Sequence, residues 1–349
     1  MINKKSRKYE NKRKKKLKIK FIDYDEPQKI NKNLIPSILL KKYNVVEDNN
    51  PDIVICSMWG NDHIDVEVPK IYCSGEAFVD NRICYDLSIS LHICNEPNQF
   101  QINLISINEY DCEHVYDFLN NDLSKFKKYI DSPKIKFCAF MYQNKYPRER
   151  VWFARKLMKY KFVDCLGRIL NNTKLDDSKT RYVPDWRSKQ LDIYKDYKFV
   201  IAFENKSCDG NLTEKILSPL LVGSIPIYCG VPDIKDYINP ECFINVNDFD
   251  SFEDCIEYVK KVDNDDELYQ KYINARPILA SSKLHNMIGD KLEKWLLLNV
   301  EKILSPNYKP IGKLSGYKRL KAIWLNRYWK IKQRVIYKFY VLLELLGVK

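Results

Sequence analysis

Short apolar runs recur along this chain, and the segments between them have helical spacing. PDIVICSMW (51–59), PKIYCSGEA (69–77), YDLSISLH (85–92) and KIKFCAFMYQN (134–144) read as strands. KFVDCLGRI (161–169), YKFVIAFEN (197–205), SIPIYCG (224–230) and CFINVNDF (242–249) continue the pattern. Helical segments are expected at 37–48, 148–160, TEKILSPLLVG and 251–263; Pro219 is expected to shorten or bend the third, and Ser251 with Asp254 to cap the fourth. Strands alternating with helices predict a parallel sheet covered on both faces. At 349 residues the chain is long enough for two such units, and a looser region at 95–133 places their junction near residue 133.

The net charge of +13 invites a nucleic-acid reading until it is mapped. Residues 1–20 hold eleven Lys/Arg against Glu10, and residues 309–349 hold eleven against Glu344. Each tail therefore carries +10 and the body between them −7. A nucleic-acid enzyme more often carries its basic stripe on the folded body, so no nucleic-acid partner is expected. The basic start has no apolar segment behind it, which predicts neither a signal peptide nor a membrane span. Eleven cysteines without a CxxC pair indicate neither a disulfide framework nor a zinc ribbon, and point to reduced thiols in a cytosolic protein.

The last segment has a different character. Leu320, Trp324, Tyr328, Ile331, Val335, Phe339, Leu342 and Leu346 fall within about 100° of a helical wheel, and Arg319, Arg327, Lys330 and Arg334 cluster elsewhere on it. A basic, aromatic-rich amphipathic helix suits an anionic membrane surface. The competing expectation is a helix docked on the protein's own body or on a second copy, and a homo-oligomer stays open.

Chemistry concentrates in YKFVIAFENKSCDGNLTEKILSPLLVGSIPIYCGVPDIKDYINPECFINVNDF, residues 197–249, where an apolar strand ends in Glu204 and Asn205 and a polar loop leads to Thr213, Glu214 and Lys215. The stretch resembles the donor-binding motif of the α-1,3-fucosyltransferases, glycosyltransferase family 10. The match includes Tyr197, Lys198, Phe199, Phe203 to Asn205, Thr213 to Lys215, Ile225 to Tyr228, Gly230, Asn239, Pro240, Phe243, Asn245 and Val246. V-D-C-L-G-R at 163–168 and CSGEA at 73–77 extend the likeness to roughly residues 65–275.

The resemblance implies an α/β, two-lobed GT-B fold. The expected organisation is a basic arm at 1–20, an acceptor-side lobe at 21–133, a nucleotide-sugar lobe at 134–305 and a basic amphipathic tail at 306–349. It also implies inverting transfer of fucose from GDP-fucose to a hydroxyl of an N-acetylglucosamine or glucose unit in a glycan. Such a reaction must neutralise a diphosphate leaving group and take a proton from the acceptor hydroxyl. Lys198, Lys215 and the backbone where the Thr213 helix begins are the expected answer to the first demand. Glu214 is expected at the donor's ribose or sugar, with Asn205, Asn211, Thr213 and Arg168 around the donor. Glu76 matches the family position assigned as general base. No metal or cofactor is required on this reading, and stimulation by Mg or Mn stays open. Two departures, Asn211 for an aromatic residue and Cys229 for a Trp, leave another nucleotide sugar open.

Rival readings rest on less. Asp248-Phe-Asp250 has the spacing of a metal-diphosphate site, but Asp250 beside Ser251 reads more simply as a helix-cap region. His63, His92, His114 and His285 lack metal-ligand spacing. A basic-tailed, membrane-binding protein with an inactive transferase body is disfavoured by the joint presence of Glu76, Lys198, Glu214 and Lys215. A tethered enzyme at the cytoplasmic face suits a lipopolysaccharide or capsular glycan as acceptor.

Overall fold

The computed structural model describes residues 14–30, 33–74, 84–91, 96–102, 118–175, 186–205, 212–287, 290–325, 327, 328, 331 and 335. The chain divides into two compact units, one of residues 1–73, 80–88 and 293–349, the other of residues 74–79 and 89–292. The linear division expected at 133 and 305 differs at both boundaries: residues 89–133 belong with the second unit, and the C-terminal residues from 293 belong with the N-terminal unit.

The first sheet comprises β1 (Lys16–Ile22), β2 (Asn44–Glu47), β3 (Ile53–Cys56), β4 (Lys70–Cys73), β5 (Leu87–Ser90) and β6 (Gln99–Gln101). Its order is β2-β1-β3-β4-β5-β6, and the β1/β2, β1/β3 and β3/β4 pairs are parallel. β1 begins inside the expected basic arm. Its KLKIKFI alternation buries Leu17 and Ile19 and turns the lysines outward, where Lys18 pairs with Asp48 at 3.3 Å. The expected helix at 37–48 splits into α1 (Leu34–Leu39), capped by the Asn33 side chain, and strand β2. Asn44, Val45 and Val46 are poor helix formers, and pairing with β1 decides their state.

The C-terminal residues are clasped to this unit by buried polar groups. Asp86 accepts hydrogen bonds from the Tyr308 hydroxyl at 2.8 Å and from the Ile311 and Lys70 amides at 2.9 and 2.8 Å. The buried Lys70 ammonium donates to the Val66 and Gly312 carbonyls. A helix over 316–325 packs Ala322 and Ile323 against the core formed by Val54, Ile64 and Tyr72, and Arg319 pairs with Asp65.

The second sheet comprises β7 (Lys136–Phe140), β8 (Val163–Cys165), β9 (Tyr197–Phe203), β10 (Ile225–Cys229) and β11 (Ile244–Asn245). All its pairings are parallel, in the order β11-β10-β9-β7-β8. Its helices are α2 (Lys127–Ile130), α3 (Glu149–Leu157), α4 (Trp186–Tyr194), α5 (Glu214–Leu221), α6 (Phe252–Asn264) and α7 (Asp266–Asn274). A further helix, α8 (Asp290–Ile303), leads back into the first unit at residue 293.

β9 explains why this sheet needs cover on both sides. Phe199, Ile201 and Phe203 join Phe140, Phe153, Ile227 and Val259 in one core, while Tyr197, Val200 and Ala202 join Leu191, Ile216, Leu217 and Leu220 in another. A strand with both faces buried reads as a continuous apolar run, as this one does. Pro219 lies inside α5, which continues two residues beyond it to Leu221. Ser251 caps α6, its hydroxyl accepting from the Asp254 amide at 3.2 Å.

Candidate functional site

The order of the second sheet reverses at β7: β8 lies on one side, β9 to β11 on the other. In open parallel sheets such a reversal opens a crevice outside the carboxyl ends of the two diverging strands, the usual place for a ligand. Here those ends are Tyr142, two residues past β7, and Glu204-Asn205, directly after β9.

Glu204 organises the crevice. It is 3% exposed, and its carboxylate accepts from the Thr213 amide at 3.1 Å and from the Thr213 hydroxyl, which lies 2.8 and 2.7 Å from the two oxygens. Thr213 is the N-cap of α5, its hydroxyl oxygen accepting from the Lys215 amide at 3.3 Å. One buried carboxylate therefore ties the end of a strand to the start of the helix that follows. The Lys215 ammonium lies 3.5 Å from Glu204, 3.3 Å from Glu214 and 3.2 Å from the Thr213 hydroxyl, and its side chain is 17% exposed. Burial raises the Glu204 carboxyl above its ordinary value, against the pull of Lys215 and Thr213. Burial would lower the Lys215 ammonium, but Glu204 and Glu214 outweigh it and hold it above its ordinary value.

Two glycines mark places where the backbone closes in on this site. A Cβ on Gly230, one residue past β10, would lie 2.5 Å from both Glu204 Cγ and the Tyr228 hydroxyl. A Cβ on Gly167, past β8, would lie 2.2 Å from the Tyr142 carbonyl oxygen. Both belong to the segments whose pattern the sequence displayed, and both are glycine because no side chain fits. The Tyr142 hydroxyl accepts from the Phe203 amide at 2.7 Å and donates to the Ile201 carbonyl at 3.0 Å, which locks the end of β7 to the end of β9.

Thr213, Glu214 and Lys215 thus meet at one point, beside Glu204. Asn205 joins them from the strand side, its Oδ1 accepting from Arg150 Nη1 at 3.0 Å. Arg168 is exposed next to Gly167 at the carboxyl edge of the same sheet. Glu76 and Asn211 lie outside the described residues. Cys229, where the family pattern has Trp, is partly exposed, its Sγ 3.6 Å from Asn247 Oδ1, and burial pushes its thiol up to about 11.

Lys198 is placed elsewhere. It is the second residue of β9, and six positions at roughly 3.3 Å each put it about 20 Å from Glu204 along the strand. Its ammonium pairs with Asp263 Oδ1 at 3.0 Å, donates to the Asp263 carbonyl at 3.0 Å, and lies 4.9 Å from the Tyr269 ring centroid. Asp263 also accepts from Lys161 and from the Tyr160 hydroxyl at 3.0 Å. Lys198 therefore fastens α6 to the amino end of β9, and does not share the site of Lys215. Asp248, offered by the rival metal-diphosphate reading, accepts from Asn245 Nδ2 and pairs with Lys235, each at 2.8 Å.

One residue in the crevice gave no sign in the sequence. Arg150 sits in the first turn of α3, is 1% exposed, and lies 4.4 Å from the Tyr142 ring centroid. In the sequence it is one basic residue among several in a segment with helical spacing; its position soon after the β7 strand was the only available signal.

A two-lobed α/β protein with a helix start, a lysine and buried carboxylates at a sheet reversal belongs to the class that handles phosphorylated ligands. Comparisons with known proteins narrow the class. Residues 131–294 match the family model described as "Glycosyltransferase family 10 (fucosyltransferase) C-term", and residues 19–107 match "Alpha-(1,3)-fucosyltransferase FucT N-terminal domain". The chain belongs to glycosyltransferase family 10. A putative fucosyltransferase of Acanthamoeba polyphaga mimivirus is 36% identical over 197 residues, 54% of this chain and 32% of that protein. Alpha-(1,3)-fucosyltransferase B of Drosophila melanogaster is 38% identical over 144 residues, 39% of this chain and 32% of that protein. The Homo sapiens GDP-fucose protein O-fucosyltransferase 3 is 34% identical over 163 residues, 46% of this chain and 33% of that protein. The chain thus spans about a third of the length of these curated relatives. A crystal structure of an alpha1,3-fucosyltransferase with GDP superposes with a TM-score of 0.68 at 21% identity, covering 90% of this chain and 96% of that one. The fold is GT-B, with two parallel-sheet α/β lobes.

Proposed function

We propose that this protein transfers fucose from GDP-fucose, with inversion at the anomeric carbon, to a hydroxyl of an N-acetylglucosamine or glucose unit in a glycan. The observation that carries the reading is the convergence of Thr213, Glu214 and Lys215 on Glu204 at the carboxyl end of β9. A helix start with a cation beside it stabilises a diphosphate. Lys215 and the first turn of α5 face the diphosphate, Glu214 takes the ribose or sugar hydroxyls, and Arg168 supports the donor from the β8 side. Glu76 takes the proton from the acceptor hydroxyl as the new oxygen–carbon bond forms and the electron pair of the old bond leaves on GDP. No metal is needed, because protein cations and helix amides meet the leaving charge.

The test is transfer of labelled fucose from GDP-fucose to glycan acceptors, with and without EDTA. Transfer that persists in EDTA supports the reading; transfer only with an added divalent cation removes its metal-independent part. Release of another sugar in preference to fucose, for which Asn211 and Cys229 are the candidate cause, would change the donor. A protein hydroxyl as acceptor is the second reading, favoured by the relatives named as protein O-fucosyltransferases, and a folded protein acceptor in the same assay decides between them.

The C-terminal tail is proposed as an anchor on an anionic membrane, at the cytoplasmic face where lipopolysaccharide or capsular glycans are assembled. Leu320, Trp324, Tyr328, Ile331 and Val335 are 68%, 59%, 41%, 57% and 57% exposed. At ~1 kcal/mol per basic residue near an anionic surface, a few tail cations suffice for reversible attachment. Among the described residues no helix is long and apolar enough to cross a membrane. Deleting 313–349 is expected to abolish sedimentation with anionic liposomes, and equal sedimentation of both forms would remove the anchor.

A further inference from the structure

The loop after β8 carries more internal bonding than a surface turn needs. It runs from Leu166 to Thr173 and crosses the end of β7, where the Leu166 amide donates to the Phe140 carbonyl at 2.9 Å and the Ile169 amide to the Tyr142 carbonyl at 3.1 Å. Between these two bonds Gly167 lies on the Tyr142 backbone with no room for a Cβ. β8 is an edge strand, and side chains close its outer side where a further strand would pair. Asn172 accepts from the Cys165 amide at 2.7 Å and donates to the Val163 carbonyl at 2.9 Å. Asn171 Nδ2 donates to the Gly167 carbonyl at 2.9 Å and to the Cys165 carbonyl at 3.3 Å, and the Thr173 hydroxyl donates to Asp164 at 2.9 Å.

The same loop holds a strained residue. Leu170 has φ 54°, the left-handed region that a side chain with a Cβ avoids. Such a residue persists only where its surroundings over-determine it, and such places cluster at functional sites. Here Asn171 and Asn172 follow it directly, and Ile169 and Leu170 pack against the core that holds Phe140 and Phe153. One side chain of the loop takes no part in the bracing. Arg168 is exposed, and among the described residues its side chain has no bonded partner. A flexible cation loses conformational freedom when it takes up an anion, and fixing the backbone beneath it beforehand removes part of that cost. The bracing therefore presents a guanidinium with its donors unused, beside the strand at which the sheet order reverses.

We propose that Asn171 and Asn172 are positioning residues, which hold the backbone of Arg168 at the crevice so that its guanidinium meets the anionic donor. The assignment rests on the donor reading given above and adds what fixes the β8 side of that site. Asn171 acts at short range, because the Gly167 carbonyl it binds belongs to the peptide unit that joins Gly167 to Arg168. Asn172 acts from the far side of the loop, by tying its return to the edge of β8. Leu170 sets the turn between them.

The test is a double-mutant cycle, read by calorimetric titration of the full chain with GDP and by melting curves without ligand. Arg168→Ala is expected to weaken GDP binding roughly 10-fold, the worth of one hydrogen bond to a charged group. Asn171→Ala is expected to weaken it roughly 3- to 10-fold in the wild-type background and no further in the Arg168→Ala chain, because the asparagine acts through the arginine. Asn172→Ala is expected to follow the same pattern. Leu170→Gly frees the same turn without removing a hydrogen bond, and its loss of affinity should likewise depend on Arg168; it takes the place of Asn171→Ala should that variant not fold. Wild-type GDP affinity in Asn171→Ala overturns the assignment. So does an equal loss with and without Arg168, since a merely structural asparagine would act alike in both chains, whatever its effect on Tm. Unchanged affinity in Arg168→Ala overturns it too, and leaves the donor reading standing on the start of α5. A wild type that ignores GDP sinks the donor reading itself and takes this assignment with it.

Discussion

Replacing Lys198 by Met separates a residue that holds the fold from one that holds a donor. Asp263 has a carboxylate side chain 1% exposed, with Lys198 on one oxygen and Lys161 and Tyr160 on the other. Losing Lys198 empties one oxygen and leaves the second bonded. The cost is that of a hydrogen bond to a charged group, about 1.5–3 kcal/mol, below the ~3–5 kcal/mol of a buried pair broken outright, because Lys161 remains. The contact of the ammonium with the Tyr269 ring adds about 0.5–1 kcal/mol. At ~2–4 °C per kcal/mol for a unit of this size, Tm should fall by roughly 4–16 °C. The effect has a pH signature. Burial alone would raise the Asp263 carboxyl, but its bonds to Lys161, Lys198 and Tyr160 hold it below its ordinary value. The unfolded chain therefore binds the extra proton first as pH falls, so this stabilisation is complete above the ordinary carboxyl range and disappears as pH drops through the folded value. Wild type and variant should differ most near neutrality and converge in acid. Calorimetric melts from pH 7 to pH 3, paired with GDP titration at pH 7, measure both. A variant that melts like the wild type and loses GDP affinity would refute this reasoning and return Lys198 to the donor site.

The remaining expectations concern the crevice itself. Gly230→Ala pushes a methyl group into Glu204 and Tyr228, costing about 1–3 kcal/mol and weakening GDP binding; chemical denaturation and titration check both, and unchanged values would mean the strand end yields easily. Thr213→Val removes the cap and the Glu204 bond, for about 1–2 kcal/mol, while Thr213→Ser should restore it; equal stability of the two variants would remove the hydroxyl from the account. Glu76→Gln should keep GDP affinity and lose rate in single-turnover measurements, and an unchanged rate would take Glu76 out of the mechanism. Lys215→Ala should lose turnover mainly through donor affinity, so a fall in rate at saturating GDP-fucose with unchanged affinity would contradict it.

The fold was legible where burial leaves only one pattern. β9 and β10 are covered on both sides and show as apolar runs, and the helix after β9 announces itself through Thr213 and Glu214. β2 is harder to see, because Asn44 to Glu47 is short and half-exposed. It also follows Ile35, Ile38 and Leu39, whose spacing suits a helix only as far as Leu39; the strand state comes from β1, a partner distant in sequence. The return of residues 293–349 to the first unit depends on Asp86 and Lys70, which look like ordinary charges until Tyr308 and Gly312 reach them.

The cations of the site divide along the same line. A local motif displays Lys215, because its partners Thr213 and Glu214 adjoin it and Glu204 follows the strand before it. The same motif displays Lys198 equally well, but a strand has two ends, and a residue at its start faces the opposite edge of the sheet from one just past its finish. Residue type and spacing within the motif carry no mark of that difference; strand length does, since a run of seven residues already separates the two ends by about 20 Å. Arg150 shows the converse. It has no place in the β9 motif, yet the reversal between β7 and β9 brings the first turn of α3 to Asn205 and Tyr142. Order within the sheet, which needs all five strands before it can be known, decides which positive charges come together at the crevice.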